Sequence, residues 1–196
     1  MSFRLAGLPG CTPRTGNAFT RWIGRTVLRL GGWTMAGEFP DVRKMVILAA
    51  PHSSAWDAVW GLAAKMALGL RIVVIGKQEL FHGPLGWLLR RFGAIPVDRA
   101  RAHGVVDMVT ERFAESDTMW FVLAPEGTRK RVERWKTGFW HIARDANVPV
   151  LCAYFHYPER TIGIGPLMHM TGNLKGDMAM VREFYKPWIG KNRGTT

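Results

Sequence analysis

Residues 44–57, "KMVILAAPHSSAWD", decide the fold. After Lys44 the first half is apolar as far as Ala50, with no polar alternation. Such a run reads as a strand covered on both faces, as in parallel sheets flanked by helices. Pro51 stops it. Ser54, followed by Asp57 three positions on, is a helix-start pattern. It predicts a helix over 54–68 with Ser54 as N-cap. A strand, a tight turn and a helix thus follow one another.

The alternation continues outward. Extended segments are predicted at 71–76, 94–98, 119–124 and 148–155, and a turn at Pro158-Glu159 leads into one more short strand. Helices are predicted at 83–93, 104–115, 138–146 and 175–186. Together they predict an α/β fold, with a mostly parallel or mixed central sheet covered by helices on both faces. No repeat or linker divides residues 33–196, which read as a single domain. Residues 1–17 hold Pro9, Pro13 and several glycines and read as a loose lead-in.

Residues 18–32 read as an amphipathic basic helix ended by Gly31-Gly32. Phe19, Trp22, Ile23, Val27 and Leu30 fall on one side at helical spacing, and Arg21, Arg25 and Arg29 on the other. Two readings fit: an anchor lying in a membrane surface, or an ordinary surface helix with solvated arginines.

Lys and Arg number 27 against 15 Asp and Glu, a formal charge of +12. That excess selects anionic partners: phosphates, nucleic acid or a membrane surface. Nine tryptophans suit places with one wet and one apolar side. No apolar stretch approaches the ~20 residues needed to cross a bilayer, and the opening residues lack a secretory-signal core. Cys11 and Cys152 form neither a zinc spacing nor a disulfide framework, as in a reducing compartment. The expectation is a peripheral protein on the cytoplasmic face of a membrane. His82, His103, His141, His156 and His169 show no metal-ligand spacing, so no metal is expected. The tryptophans do not alternate with basic residues on any strand, and no nucleic-acid motif is present.

In α/β sheets of this kind, ligands sit beyond the carboxyl ends of the strands. Those positions hold His52 to Asp57, Lys77, Arg99 and Glu126 to Arg129. Inside one helix, His52 and Asp57 would point about 140° apart. With His52 on the turn and Asp57 in the first helical turn, the imidazole folds back onto the carboxylate. One ring nitrogen then donates to Asp57, and the other accepts a proton from a hydroxyl. A competing reading makes Asp57 a helix cap and His52 a loop histidine.

In "APEGTRKR" (124–131), Gly127 permits a tight turn, and Thr128 and Arg129 supply donors for a phosphate. Glu126 would orient one of the neighbouring cations. The alternative is a polar turn with a surface ion pair. Lys77 and Arg99, at other strand ends, would converge on the same anion or form a solvated basic rim.

These blocks, taken in order, resemble the glycerophospholipid acyltransferase family, which includes the 1-acylglycerol-3-phosphate acyltransferases. They are His52-x-x-x-x-Asp57, Lys77-Gln78-Glu79-Leu80, Gly93-x-Ile95-Pro96-x-Asp98-Arg99, Pro125-Glu126-Gly127-Thr128-Arg129, Lys136-x-Gly138 and Val148-Pro149-Val150. The resemblance spans about residues 44–157. It implies that His52 is the general base, oriented by Asp57. A lysophospholipid hydroxyl, most readily that of 1-acylglycerol 3-phosphate, would attack the thioester of an acyl-coenzyme A or acyl carrier protein directly. It also implies that Lys77, Arg99, Glu126, Gly127, Thr128 and Arg129 hold the acceptor's phosphate. No cofactor is implied; the thioester is a co-substrate.

Backbone N–H groups at the start of the 54–68 helix are the candidate oxyanion donors. Pro51, Ala124 and Lys130 depart from the family pattern, which often has asparagine, an aromatic residue and serine there. These departures bear on the acceptor's identity. Two alternatives stand beside this expectation. One is the same chemistry on another lysolipid or alcohol, such as a lyso-ornithine lipid. The other is a non-catalytic basic module binding membranes or nucleic acid.

Overall fold

The computed structural model describes residues 4–5, 7–97, 102–192 and 194. Eight strands among them form one sheet: β1 (Arg4–Leu5), β2 (Thr34–Gly37), β3 (Lys44–Ala50), β4 (Ile72–Lys77), β5 (Ala94–Val97), β6 (Met119–Leu123), β7 (Val150–His156) and β8 (Thr161–Met168). Their order is β1-β2-β8-β7-β3-β6-β4-β5. The five strands from β7 to β5 are mutually parallel. β8 runs antiparallel to β7, and β2 and β1 run parallel to β8. The sheet is therefore mixed, with a single antiparallel seam.

Six α-helices among the described residues cover it: α1 (Ala18–Leu30), α2 (Trp56–Leu68), α3 (Gly83–Arg91), α4 (Ala102–Glu115), α5 (Gly138–Asp145) and α6 (Leu174–Tyr185). β3 lies between β7 and β6, and its side chains alternate between the two faces. Val46, Leu48 and Ala50 pack in a core with Val109, Phe113, Phe139, Ile142 and Val181 from α4, α5 and α6. Met45 and Ile47 pack on the other face with Trp120, Leu70 and Leu151. This two-sided burial is why the strand lacks polar alternation.

The segment read as a lead-in contributes to the sheet and to a bridge. Arg4–Leu5 pair with Ala36–Gly37, and Arg14 bridges to Leu70. α1 spans the expected residues, capped by Asn17, which accepts from the Thr20 N–H at 3.0 Å. Its contact face is one that periodicity did not single out. The helix docks through Gly24 and Leu28, the buried residues of α1. A Cβ on Gly24 would overlap the backbone of Ala63 and Ala67, so the two helices touch backbone to backbone. The large apolar side chains turn outward instead: Phe19 is 65% exposed, Trp22 59% and Leu30 84%. Arg25 and Arg29 are exposed as well.

Candidate active site

His52 occupies the turn between β3 and α2. Its backbone N–H donates to Glu126 Oε2 at 3.0 Å, tying it to the loop after β6. Its Nδ1 lies 3.3 Å from Asp57 Oδ2. Asp57 is the second residue of α2 and is 2% exposed. Four groups surround its carboxylate. Besides the imidazole, the Ser53 and Ser54 N–H groups donate to Oδ2 at 2.8 and 2.9 Å. The Tyr157 hydroxyl donates to Oδ1 at 2.6 Å. Burial pushes the Asp57 carboxyl up, but the His52, Tyr157 and Ser54 hydrogen bonds outweigh it and hold the group below the usual carboxylate range. Burial, reinforced by the bond to Asp57, raises the Tyr157 hydroxyl and keeps it a neutral donor.

The two readings of Asp57 thus merge. The carboxylate caps the turn leading into the helix and also holds the histidine. Ser54 is not the N-cap. Ala55 takes that position, and Ser54 Oγ accepts the Trp56 N–H at 3.2 Å. Of the expected oxyanion donors at this helix start, the Ser54 N–H is engaged by Asp57, the Trp56 N–H by Ser54 Oγ and the Asp57 N–H by the Ser54 carbonyl.

The second loop is a folded turn. Glu126 is buried, and its Oε2 accepts the His52 N–H of the first motif. Gly127 has φ +66°, a left-handed backbone that suits glycine. A Cβ there would lie 2.8 Å from Lys136 Cε, so the lysine stem covers the glycine. The Lys136 N–H donates to the Pro125 carbonyl at 2.8 Å and closes the loop. Thr128 Oγ1 accepts the Lys130 N–H at 3.2 Å, and Arg129 is exposed.

β7, β3, β6 and β4 run parallel, so their carboxyl ends share one edge of the sheet. Tyr157, His52, Glu126 and Lys77 stand at those ends in that order. Arg99 lies outside the described residues. No group of three or more His, Cys, Asp or Glu suited to a metal occurs among the described residues.

Sequence reasoning missed Tyr157, which is 100 residues from Asp57 in the chain. Its position two residues beyond the strand predicted at 148–155 was the available signal. It also missed Asn192, whose Nδ2 donates to the Ser53 carbonyl at 2.7 Å and whose N–H donates to Ser53 Oγ at 3.2 Å. No motif marked that residue.

A family model described as Acyltransferase matches residues 35–156, well over half of the chain. The chain belongs to the acyltransferase family. This acyltransferase-family chain is 26% identical over 128 residues to a 1-acyl-sn-glycerol-3-phosphate acyltransferase of Streptococcus pneumoniae. The match covers 65% of the chain and 47% of that protein, so the chain spans about half the length of the curated relative it matches. Among solved structures, it is similar to the 1-acyl-sn-glycerophosphate acyltransferase PlsC from Thermotoga maritima. The TM-score is 0.57 and the identity 18%, over 88% of this chain and 80% of that one. At that identity the likeness speaks for the fold.

Because Asp57 titrates below its unfolded value, its contribution to stability is present above the unfolded pKa and lost as pH falls through the folded one. Unfolding free energy should therefore decline on acidification below about pH 4. Tyr157→Phe should cost about 1.5–3 kcal/mol at pH 7 and make the acid decline shallower. Urea melts across the pH series measure both. Equal slopes for the variant and the natural protein would mean that this bond does not form.

Proposed function

We propose that the protein moves a fatty acyl group from an acyl-coenzyme A or acyl carrier protein thioester to the hydroxyl of a lysophospholipid, 1-acylglycerol 3-phosphate foremost. The observation that carries the reading is the buried Asp57 carboxylate on one side of an imidazole that is 28% exposed. His52 Nδ1–H faces Asp57, which leaves Nε2 for the acceptor hydroxyl. Nε2 takes the hydroxyl proton as the oxygen bonds to the thioester carbonyl carbon. The carbon–sulfur bond then breaks, and the departing thiolate takes the proton back from His52. Asp57 stabilises the imidazolium between these steps. The thioester is already activated, so the chemistry calls for no metal or cofactor.

In this reading the acceptor's phosphate sits on the other side of His52, at the loop of Glu126, Gly127, Thr128 and Arg129, with Lys77 and Arg99 as further cations. Arg129 makes the direct charge-assisted contacts, and Glu126 acts by fixing His52. Anchoring the phosphate places the hydroxyl beside the base and removes part of the entropic barrier. Residues 33–196 carry the transferase unit.

The protein works on the cytoplasmic face of an anionic membrane. Supporting this are the exposed Phe19, Trp22 and Leu30 beside exposed arginines, on a helix whose other face is docked. No described helix is long and apolar enough to cross a membrane.

Purified protein should release thiol from acyl-coenzyme A only when a lysolipid is present. His52→Ala should lower that rate by about 10²–10⁴ without unfolding the chain. Arg129→Ala should raise the acceptor KM about tenfold or more for a phosphate-bearing lysolipid. An equal rise for a neutral alcohol would point to a different acceptor, and a fully active His52→Ala would end the reading. Trp22→Glu should abolish co-sedimentation with anionic vesicles and leave the urea melt within about 0.5 kcal/mol of the natural protein. Unchanged sedimentation would remove α1 from the membrane contact.

A further inference from the structure

A cleft of about 380 Å³ adjoins Asp57 through Tyr157. Trp33, Trp56, Trp60 and Tyr157 wall it, and Arg160 and Lys191 stand on it. Its Tyr157 wall and the Glu126 loop lie beyond the ends of β7 and β6, which border β3 on opposite sides. Tyr157 follows the first of these strands and Glu126 the second.

The aromatic wall is assembled from three separate elements. Trp56 and Trp60, one turn apart on α2, stack with ring centroids 5.8 Å apart. Trp60 meets Trp33 at 5.3 Å, and Trp33 meets Tyr157 edge-on at 4.8 Å. The Trp60 ring fills the space that a side chain on Gly31 would need. Both cations are held. Lys191 Nζ lies 5.0 Å from the centre of the Trp56 ring, and the adjoining Asn192 is tied to Ser53. Arg160 donates to the Gly31 carbonyl at 3.3 Å. It does so from a backbone with φ +49°, a left-handed conformation that glycine or asparagine adopts more readily. The turn carries a guanidinium there in spite of its backbone.

Indole faces favour an apolar or planar chain, and two cations on the lining favour a phosphate. A transfer between two substrates also needs the donor on the side of the base that the acceptor leaves open. We infer that this cleft takes the 4′-phosphopantetheine arm of the acyl thioester. Its methylenes and amides lie along Trp33, Trp56, Trp60 and Tyr157. Its phosphate meets Arg160 and Lys191, and its thioester carbonyl turns toward His52. The assignment rests on the acyl-transfer reading above. The volume falls within the range of small-molecule sites. Coenzyme A and acyl carrier protein share this arm, so one cleft serves either donor.

The test measures donor KM for an acyl-coenzyme A and for an acyl carrier protein thioester, with the lysolipid KM alongside, in Arg160→Ala, Lys191→Ala and Trp56→Ala. Each charge removal should raise donor KM about tenfold for both donors and leave the acceptor KM unchanged. A rise confined to acyl-coenzyme A overturns the inference in favour of a nucleotide site. A rise in acceptor KM instead gives the cleft to the lysolipid, and no change in either KM also overturns it. Titration with coenzyme A without acceptor, read by tryptophan quenching, separates this from the acyl-transfer reading. Saturable quenching that weakens about tenfold in Lys191→Ala upholds the cleft even if no transfer occurs. Quenching unchanged in all three variants sinks it.

Discussion

Everything at this edge of the sheet depends on one buried carboxylate. Asp57 is nearly inaccessible to water, and a bare charge there would be costly. Four donors compensate it: two backbone N–H groups from the turn, a tyrosine hydroxyl from the end of β7 and an imidazole. The same bonds fix the turn after β3, the start of α2 and the ring of His52. Stability and site geometry are therefore set by the same interactions. A change at Asp57 disturbs the turn as well as the histidine.

The strand order explains why the two motifs meet. β3 and β6 are adjacent and parallel, so residues just beyond their ends must be neighbours. Glu126 turns that proximity into a bond by accepting the His52 backbone N–H. A carboxylate of the loop after β6 thereby holds the turn that carries His52. On the opposite neighbour, β7, the chain places Tyr157. The strand that leads to His52 thus has the Glu126–Arg129 loop beyond one neighbour and Tyr157, a wall of the aromatic cleft, beyond the other.

Much of this was legible in the sequence. The apolar run of β3 and its stop at Pro51 gave the strand its observed bounds, and Gly31-Gly32 ended α1 as expected. The strand-end rule drew attention to His52, Asp57 and Glu126. Non-local choices were not legible. β2 is a four-residue strand ending in glycine, too short to show a period. The antiparallel seam between β7 and β8 follows from the turn predicted at Pro158-Glu159, since a loop that short joins antiparallel strands, whereas the place of β2 beside β8 has no local signal. The docking face of α1 was not legible because periodicity weighs large apolar residues. The contact depends on a glycine small enough to let two backbones touch. Tyr157 and Asn192 carry no motif, and only folding brings them to the turn at His52 and Ser53.

The central claim is that His52 donates its Nδ1 proton to Asp57 and presents Nε2 as the base. Nitrogen-15 NMR of histidine-labelled protein at neutral pH reads this tautomer directly. The account predicts a His52 signal with a protonated Nδ1 and a bare Nε2, which changes in Asp57→Asn. A neutral ring protonated at Nε2, or a signal indifferent to Asp57→Asn, would contradict it.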